Sequence, residues 1–270
     1  MIKKTFSSRY RLCYSLLQSR NRENHGPLWL VEKFEPWLNN MHDGRTEIVK
    51  IFPDFSWGDI DTVLLDMDGT LLDKHFDDYF WEVYVPEHYS LLHDISVEEA
   101  KKQLLSRYRE VENTLEWTDL EYWSHELGLD IPELKMRVNH LIGVHPYVVE
   151  FLEFCLSQRK KLYLITNAHS CTLKIKLEKT SIGPWFDRVV CAEEVGLAKE
   201  DPKFWQRLEE MLGYDRVRTL LADDTEKVLR SAATYGMGQL IYVARSSSRQ
   251  PVKYSESFPS IDYFKELITK

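Results

Sequence analysis

No apolar run in this 270-residue chain approaches the roughly 20 residues that a membrane-crossing helix needs. Cysteine is scarce as well. The four present (Cys13, Cys155, Cys171 and Cys191) include no Cys-x-x-Cys pair, and Cys155 and Cys191 sit in apolar runs. A disulfide framework is therefore not expected, and the thiols read as reduced and cytosolic. Positive charge is in deficit: the net charge of −8 lacks the basic footprint of a general nucleic-acid binder. The nine histidines form no His-Glu-x-x-His metal pattern, and the chain has no internal repeat. With 43% hydrophobic and 29% charged residues it reads as a soluble globular protein, long enough for one full domain and a smaller one. An anionic substrate on so acidic a chain needs a locally positive pocket, made by a metal, lysines or helix N-termini.

What is present is concentrated at one place. Thr62-Val63-Leu64-Leu65 is an apolar run that reads as a buried parallel strand, and Asp66-Met67-Asp68-Gly69-Thr70-Leu71-Leu72-Asp73 follows it directly. The strand delivers Asp66 and Asp68 to its C-terminal end, where open α/β sheets carry their chemistry. Gly69 permits a sharp turn that can set main-chain N–H groups against an anion. Two acids beside an anion-binding turn suit phosphoryl transfer, with a metal offsetting their charge and one of them attacking phosphorus.

Residues 1–22 carry Lys3, Lys4, Arg9, Arg11, Arg20 and Arg22 and no acid. Such a segment resembles a transit peptide. The plainer reading is a basic tail or a translation start placed too early, with Met41 the natural start. Trp29, Phe34 and Trp37 lie in the following stretch, whose role the sequence does not disclose. From about Phe76 to Gly143 a helical insertion is expected. Ser96-Val97-Glu98-Glu99 is a capping box, with Ala100, Leu104, Leu105, Tyr108, Val111 and Leu115 at helical spacing behind it. Thr118-Asp119-Leu120-Glu121 is a second box, opening a short helix that Gly128 ends, and Pro132 marks the first turn of a third.

Beyond His145-Pro146 helices and strands alternate. Helices are expected over 148–158, 173–179, from Asp201-Pro202 to about Gly213, and over 226–235. Strands are expected at Leu162–Ile165, Val189–Cys191, Thr219–Ala222 and, as the last clear one, Leu240–Val243. The alternation predicts a three-layer, Rossmann-like α/β fold, a parallel sheet with helices on both faces. Its expected parts are an N-terminal extension of unclear role (1–58), a core (59–75 and 144–270) and a small all-helical insertion (76–143).

Parallel strands share their C-terminal edge, so their polar ends should converge. The first strand ends in Asp66 and Asp68, the second in Thr166-Asn167 and the fourth in Asp223-Asp224, while the loop after the third carries Lys199. Singly, each has a structural explanation. Asn167 reads as a helix cap, Lys199 as a solvated charge, and Asp223-Asp224 as a turn before a Thr225 cap. Four such ends on one edge outweigh those explanations. In the insertion, Tyr79, Phe80, Trp81, Tyr84, Tyr108, Trp117, Tyr122 and Trp123 offer rings that can stack on a purine, but helical spacing favours core for any one of them. His169, close behind the second strand end, is placed where it could touch substrate, but a surface or capping role is the plainer reading.

The motifs Asp66-Met67-Asp68-Gly69-Thr70, Thr166-Asn167, Lys199 and Asp223-Asp224 resemble, in order, those of the haloacid dehalogenase-like (HAD) hydrolase superfamily, over about residues 60–245. The insertion resembles that family's small helical cap. Within the superfamily the chain looks like the bacterial GMP/IMP nucleotidases, which share stretches like Asp61–Asp73, Asp77-Asp78-Tyr79-Phe80-Trp81, Thr166-Asn167-Ala168-His169 and Lys199-Glu200-Asp201.

This resemblance implies a cytoplasmic, Mg²⁺-dependent phosphomonoester hydrolase acting on purine 5′-monophosphates (GMP or IMP). Asp66 is the implied nucleophile, forming an aspartyl-phosphate, and Asp68 the general acid/base. Thr166, Asn167 and Lys199 are the implied phosphate ligands. Mg²⁺ would sit on Asp66, the Asp68 carbonyl and Asp224 with Asp223 in support, or with the last two exchanged. The family usually has Lys-Pro where this chain has Lys199-Glu200, so Lys203 is a rival phosphate lysine. An acid at 68, where the family's P-type ATPases have threonine, favours hydrolysis or mutase chemistry. The alternatives are a phosphatase or phosphomutase of sugar phosphates or phosphoglycolate, and a non-catalytic binding protein that keeps the fold. Neither nucleic acid nor membrane is an implied partner, and the oligomeric state is unknown.

Overall fold

The computed structural model describes residues 49–111, 114 and 116–268. The expectations for the basic N-terminal segment, for Met41 and for Leu115 lie outside the described residues. Six strands run parallel in the order β3-β2-β1-β4-β5-β6. They are β1 (Thr62–Leu65), β2 (Lys161–Thr166), β3 (Arg188–Cys191), β4 (Thr219–Asp223), β5 (Gln239–Val243) and β6 (Ser260–Ile261).

Between β1 and β2 the chain forms α1 (His75–Tyr79), one π turn over Phe80–Tyr84, α2 (Val85–His93), α3 (Val97–Val111), α4 (Leu120–Leu127), α5 (Ile131–Arg137) and α6 (Val148–Ser157). The later strands alternate with α7 (Ser170–Thr180), α8 (Ala192–Val195), α9 (Pro202–Leu212) and α10 (Glu226–Tyr235), and α11 (Lys265–Ile268) follows β6.

β1 is flanked by β2 and β4, with Thr62 opposite both Lys161 and Thr219, and all four of its residues are buried. The strand therefore has no solvent face, which is why its sequence is continuously apolar. Successive residues feed two cores on opposite faces. Val63, Leu65, Leu164 and Ala222 join Phe151 and Leu152 of α6 on one side. Leu64, Ile165 and Leu221 join Phe204 of α9 and Leu229 of α10 on the other.

The segment holding α1–α5 leaves and re-enters the sheet region side by side. The Asp73 N–H donates to Gly143 O (2.9 Å), the His145 N–H donates to Leu71 O (2.9 Å), and Leu72 pairs antiparallel with Val144. Ser96 caps α3 as its box predicts, with Oγ accepting from the Glu99 N–H. At α4 the cap is Asp119 rather than Thr118; its carboxylate accepts from the Glu121 and Tyr122 N–H groups. Gly128 ends that helix in the left-handed region at φ 65°. All eight insertion aromatics named above belong to the apolar core or pack against it, and Trp81, Tyr108, Trp117 and Trp123 touch one another with centroids 5.2–6.4 Å apart.

Several elements escape the sequence reading, among them the short helices α8 and α11. The π turn between α1 and α2 breaks the 3.6-residue period that would have announced a helix there. β6, at two residues, is too short for any periodicity and follows the last strand that the sequence makes clear. Among the described residues no helix is long and apolar enough to cross a membrane, and Cys155, Cys171 and Cys191 are free thiols.

Candidate active site

The turn after β1 is shaped by its main chain. The Asp66 N–H still bonds to Ala222 O (3.1 Å), which holds the residue in line with the sheet. The Leu71 and Leu72 N–H groups then both return to Met67 O, and Gly69 donates to Leu72 O. Gly69 has φ +84°, and a Cβ there would lie 2.3 Å from Asp224 Oδ2. Glycine is needed at this position for two reasons, the backbone conformation and the approach of the Asp224 carboxylate.

Lys199 gathers the strand ends. Its Nζ donates to Asp66 Oδ1 (2.5 Å), Asp223 Oδ2 (2.8 Å) and Ile165 O (3.3 Å), which uses all three of its hydrogens. The side chain is 3% exposed. Burial alone would push its pKa down, but Asp223 and Asp66 outweigh burial and hold it well above the ordinary lysine value. Asp223 is fully engaged, since its Oδ1 accepts from the Thr225 N–H (2.9 Å). Asp224 accepts from Lys74 Nζ (3.3 Å) and the Thr225 hydroxyl (3.2 Å). Thr225 thus serves Asp224 with its side chain and makes no side-chain cap bond to α10. Burial, reinforced by neighbouring carboxylates, raises both acids, Asp223 to about 8.

On β2 the Thr166 hydroxyl oxygen accepts from the Ala168 N–H (3.0 Å). Asn167 Oδ1 accepts from the Lys199 N–H (3.0 Å), while its Nδ2 donates to both Glu200 oxygens (3.0 and 3.2 Å). Asn167 is therefore not a helix cap. Its side chain fastens the Lys199-Glu200 loop, and Glu200 supplies the other half of that clasp. His169 caps α7 through its ring, which accepts from the Cys171 N–H. Lys203 is exposed on α9, with its N–H on the Asp201 cap, so of the two rival lysines it is Lys199 that reaches the rim.

Asp68 stands apart from this group. Its carboxylate is 2.6 Å from Lys176 Nζ on α7, and the same ammonium lies 2.5 Å from Asp77 of α1. Burial pushes the Asp68 carboxyl up to about 6 against the pull of Lys176. Lys74, Lys176 and Lys135 are site or near-site residues that motif reading missed. One signal was present: Lys176 falls with Thr172 and Leu173 on the inward stripe of α7, where a lysine must have a buried partner.

Ligand oxygens of Asp66, Asp223 and Asp224 all lie within 4.8 Å of one another. The donors are hard carboxylate oxygens, they outnumber the ammonium groups that touch them, and Gly69 leaves room at Asp224. This donor set fits a hard divalent cation such as Mg²⁺. The Asp68 carboxylate is not part of it. The Thr70 hydroxyl, in the same turn, is buried with no protein partner.

A parallel sheet whose rim carries a buried aspartate against a buried lysine, with further acids beside them, defines a class of hydrolase. Residues 60–236 match the haloacid dehalogenase-like hydrolase family. The chain is 37% identical over 213 residues to the GMP/IMP nucleotidase YrfG of Escherichia coli K12, covering 79% of this chain and 96% of that protein. It is 25% identical over 197 residues to a phosphorylated carbohydrates phosphatase of Thermotoga maritima, covering 69% and 87%. The crystal structure of a HAD phosphatase from Thermococcus onnurineus shares the fold, with a TM-score of 0.66 at 24% identity over 78% of this chain and 97% of that one. The chain belongs to the haloacid dehalogenase-like hydrolases. Within them it is a phosphatase.

Proposed function

We propose that the protein is an Mg²⁺-dependent phosphomonoesterase that works through an aspartyl-phosphate and acts on purine 5′-monophosphates, GMP or IMP. The observation that carries the chemistry is the division of labour between two aspartates two residues apart. Asp66 is buried at 6% exposure with one oxygen on Lys199, whereas Asp68 faces a different lysine and has its carboxyl raised. Asp66 attacks phosphorus and forms a P–O bond as the ester P–O bond breaks. Asp68 gives its proton to the departing ester oxygen, then takes one from the water that cleaves the aspartyl-phosphate and regenerates the Asp66 carboxylate. Lys199 holds Asp66 in line and brings positive charge to the phosphoryl oxygens; the Thr166 hydroxyl, whose hydrogen is not used by Ala168, can donate to them, and Asn167 can do so once its amide leaves Glu200. A cation held by Asp66, Asp224 and the Asp68 carbonyl, with Asp223 in support, would supply the positive charge that offsets the transferring group.

The helical segment 76–143 acts in this reading as a cap that excludes water and selects the leaving group. The match to the E. coli nucleotidase extends over nearly the whole of that protein and so spans this segment, which supports the purine preference. The T. maritima relative favours a second reading, a sugar-phosphate substrate. A cytoplasmic location accords with the free thiols. The test is phosphate release from a panel of nucleoside monophosphates, sugar phosphates and phosphoglycolate, with Mg²⁺ and with EDTA. GMP or IMP should turn over fastest and EDTA should abolish release. Sugar phosphates turning over faster would replace the purine reading, and release that survives EDTA would remove the metal from the scheme.

A further inference from the structure

Two lysines remain buried without a place in that scheme. The side chains of Lys176 on α7 and Lys135 on α5 are 2% and 3% exposed. An ammonium group is that deeply buried only where it is paired. Lys176 lies 2.6 Å from Asp68 and 2.5 Å from Asp77, and Lys135 lies 3.1 Å from the other oxygen of Asp77. Two cations and two anions make a neutral quartet. Aromatic faces enclose it: Lys135 Nζ is 4.6 Å from the Phe80 ring centroid and 5.0 Å from that of Phe76, and Lys176 Nζ is 5.3 Å from Phe76. The four members come from four pieces of chain: the turn after β1, then α1, α5 and α7. Of the acids, Asp68 is the one on the catalytic turn, and 24% of its side chain remains exposed toward solvent.

We propose that Lys176 and Asp77 are positioning residues for Asp68, fixing its carboxylate for proton transfer and making that placement depend on α1 and α5 being seated against α7. The assignment rests on the reading of Asp68 as the general acid. An aspartate on a turn has a broad terminal torsion, and a general acid works only within hydrogen-bond reach of the departing oxygen. The Lys176 ammonium sets that torsion. Lys176 in turn has one location because Asp77 grips it from the far side, and Asp77 is itself gripped by Lys135. Asp77 and Lys135 both lie in the segment proposed as the cap, so the quartet links the cap's seating to the acid without any movement of Asp66 or Lys199.

A quartet that only stabilises the fold would slow every substrate alike. One that positions an acid slows a substrate in proportion to its need for a proton. The experiment compares kcat/KM for an alkyl phosphate (IMP, or whichever panel member turns over fastest) with kcat/KM for p-nitrophenyl phosphate, whose nitrophenolate departs unprotonated. This parameter ends at transfer of the phosphoryl group to Asp66, so the later hydrolysis does not enter. Lys176→Met leaves Asp77 and Lys135 as a balanced pair, and the alkyl-to-nitrophenyl ratio should fall about tenfold, within the range of general-acid effects. Asp68→Asn should lower the ratio further, and adding Lys176→Met to it should lower the ratio no more. Asp77→Asn, which keeps the shape of the site, should move the ratio in the same direction and carries the test if Lys176→Met does not fold. Equal losses on both substrates, an unchanged ratio, or additive losses in the double variant would overturn the assignment. A wild-type protein that hydrolyses neither ester would instead overturn the phosphatase reading beneath it.

Discussion

Two clusters of buried charge among the described residues differ in balance. At the rim, Asp66, Asp223 and Asp224 face Lys199 and Lys74, three carboxylates against two ammonium groups. Between α1, α5 and α7, Asp68 and Asp77 face Lys176 and Lys135, two against two. A balanced buried cluster is complete in itself. An unbalanced one keeps its acids protonated or takes up a cation; burial first, and then the neighbouring carboxylates, raise the carboxyls of Asp223 and Asp224. The rim is thus built to receive positive charge, and the quartet is built to hold a shape.

Three perturbations separate the two clusters. The largest effect belongs to the rim. Asp66→Asn keeps the hydrogen-bonding shape but removes the nucleophile, so phosphate release should fall by at least about 10³-fold. Turnover near the wild-type rate would mean that Asp66 does not attack. Next comes the quartet. Asp77→Asn leaves two buried ammonium groups with one acid, a loss of about 3 kcal/mol in urea unfolding near neutral pH.

That loss has a definite pH dependence. Burial opposes ionisation of Asp77, but Lys176 and Lys135 outweigh it and hold the carboxyl well below the usual range. Its contribution is therefore complete above the unfolded value of about 3.9 and drains away as the pH falls toward the folded one. The gap between wild type and Asp77→Asn should be wide at neutral pH and narrow below about pH 4; a gap that widened in acid would refute the ion-pair account. The smallest of the three effects is cation-linked. Mg²⁺ at a hundred times its dissociation constant should stabilise wild type by about 2.7 kcal/mol. Thermal unfolding should show that increment lost in Asp224→Asn and kept in Asp77→Asn. The reverse pattern would exchange the roles given to the two clusters.

Most of the rim was legible in the sequence, because Asp66, Asp223 and Asp224 lie at the ends of strands that announce themselves and Lys199 in the loop that follows the third; Lys74 was not. A continuous apolar run such as Thr62–Leu65 means a parallel strand, parallel strands share an edge, and so Asp66, Lys199, Asp223 and Asp224 had to meet. The quartet was not legible. Lys176 lies on an inward helical stripe, which marks it as buried, but nothing in the local spacing of Lys176, Asp77 and Lys135 says that they face one another across 58 and 99 residues of chain. Asn167 shows a partial case: its place at the end of β2 was readable, but not that its amide would turn to Glu200.

Local patterning by itself determined the parallel α/β sheet, the helical insertion and the acid-rich edge, because periodicity and turn chemistry act over a few residues. Only the tertiary structure decided which lysine answers which aspartate. Lys199 joins Asp66 to Asp223, Lys176 joins Asp68 to Asp77, and Lys203 is left in solvent. Burial makes an unpaired charge expensive, and a partner can be chosen only once packing has brought distant segments together.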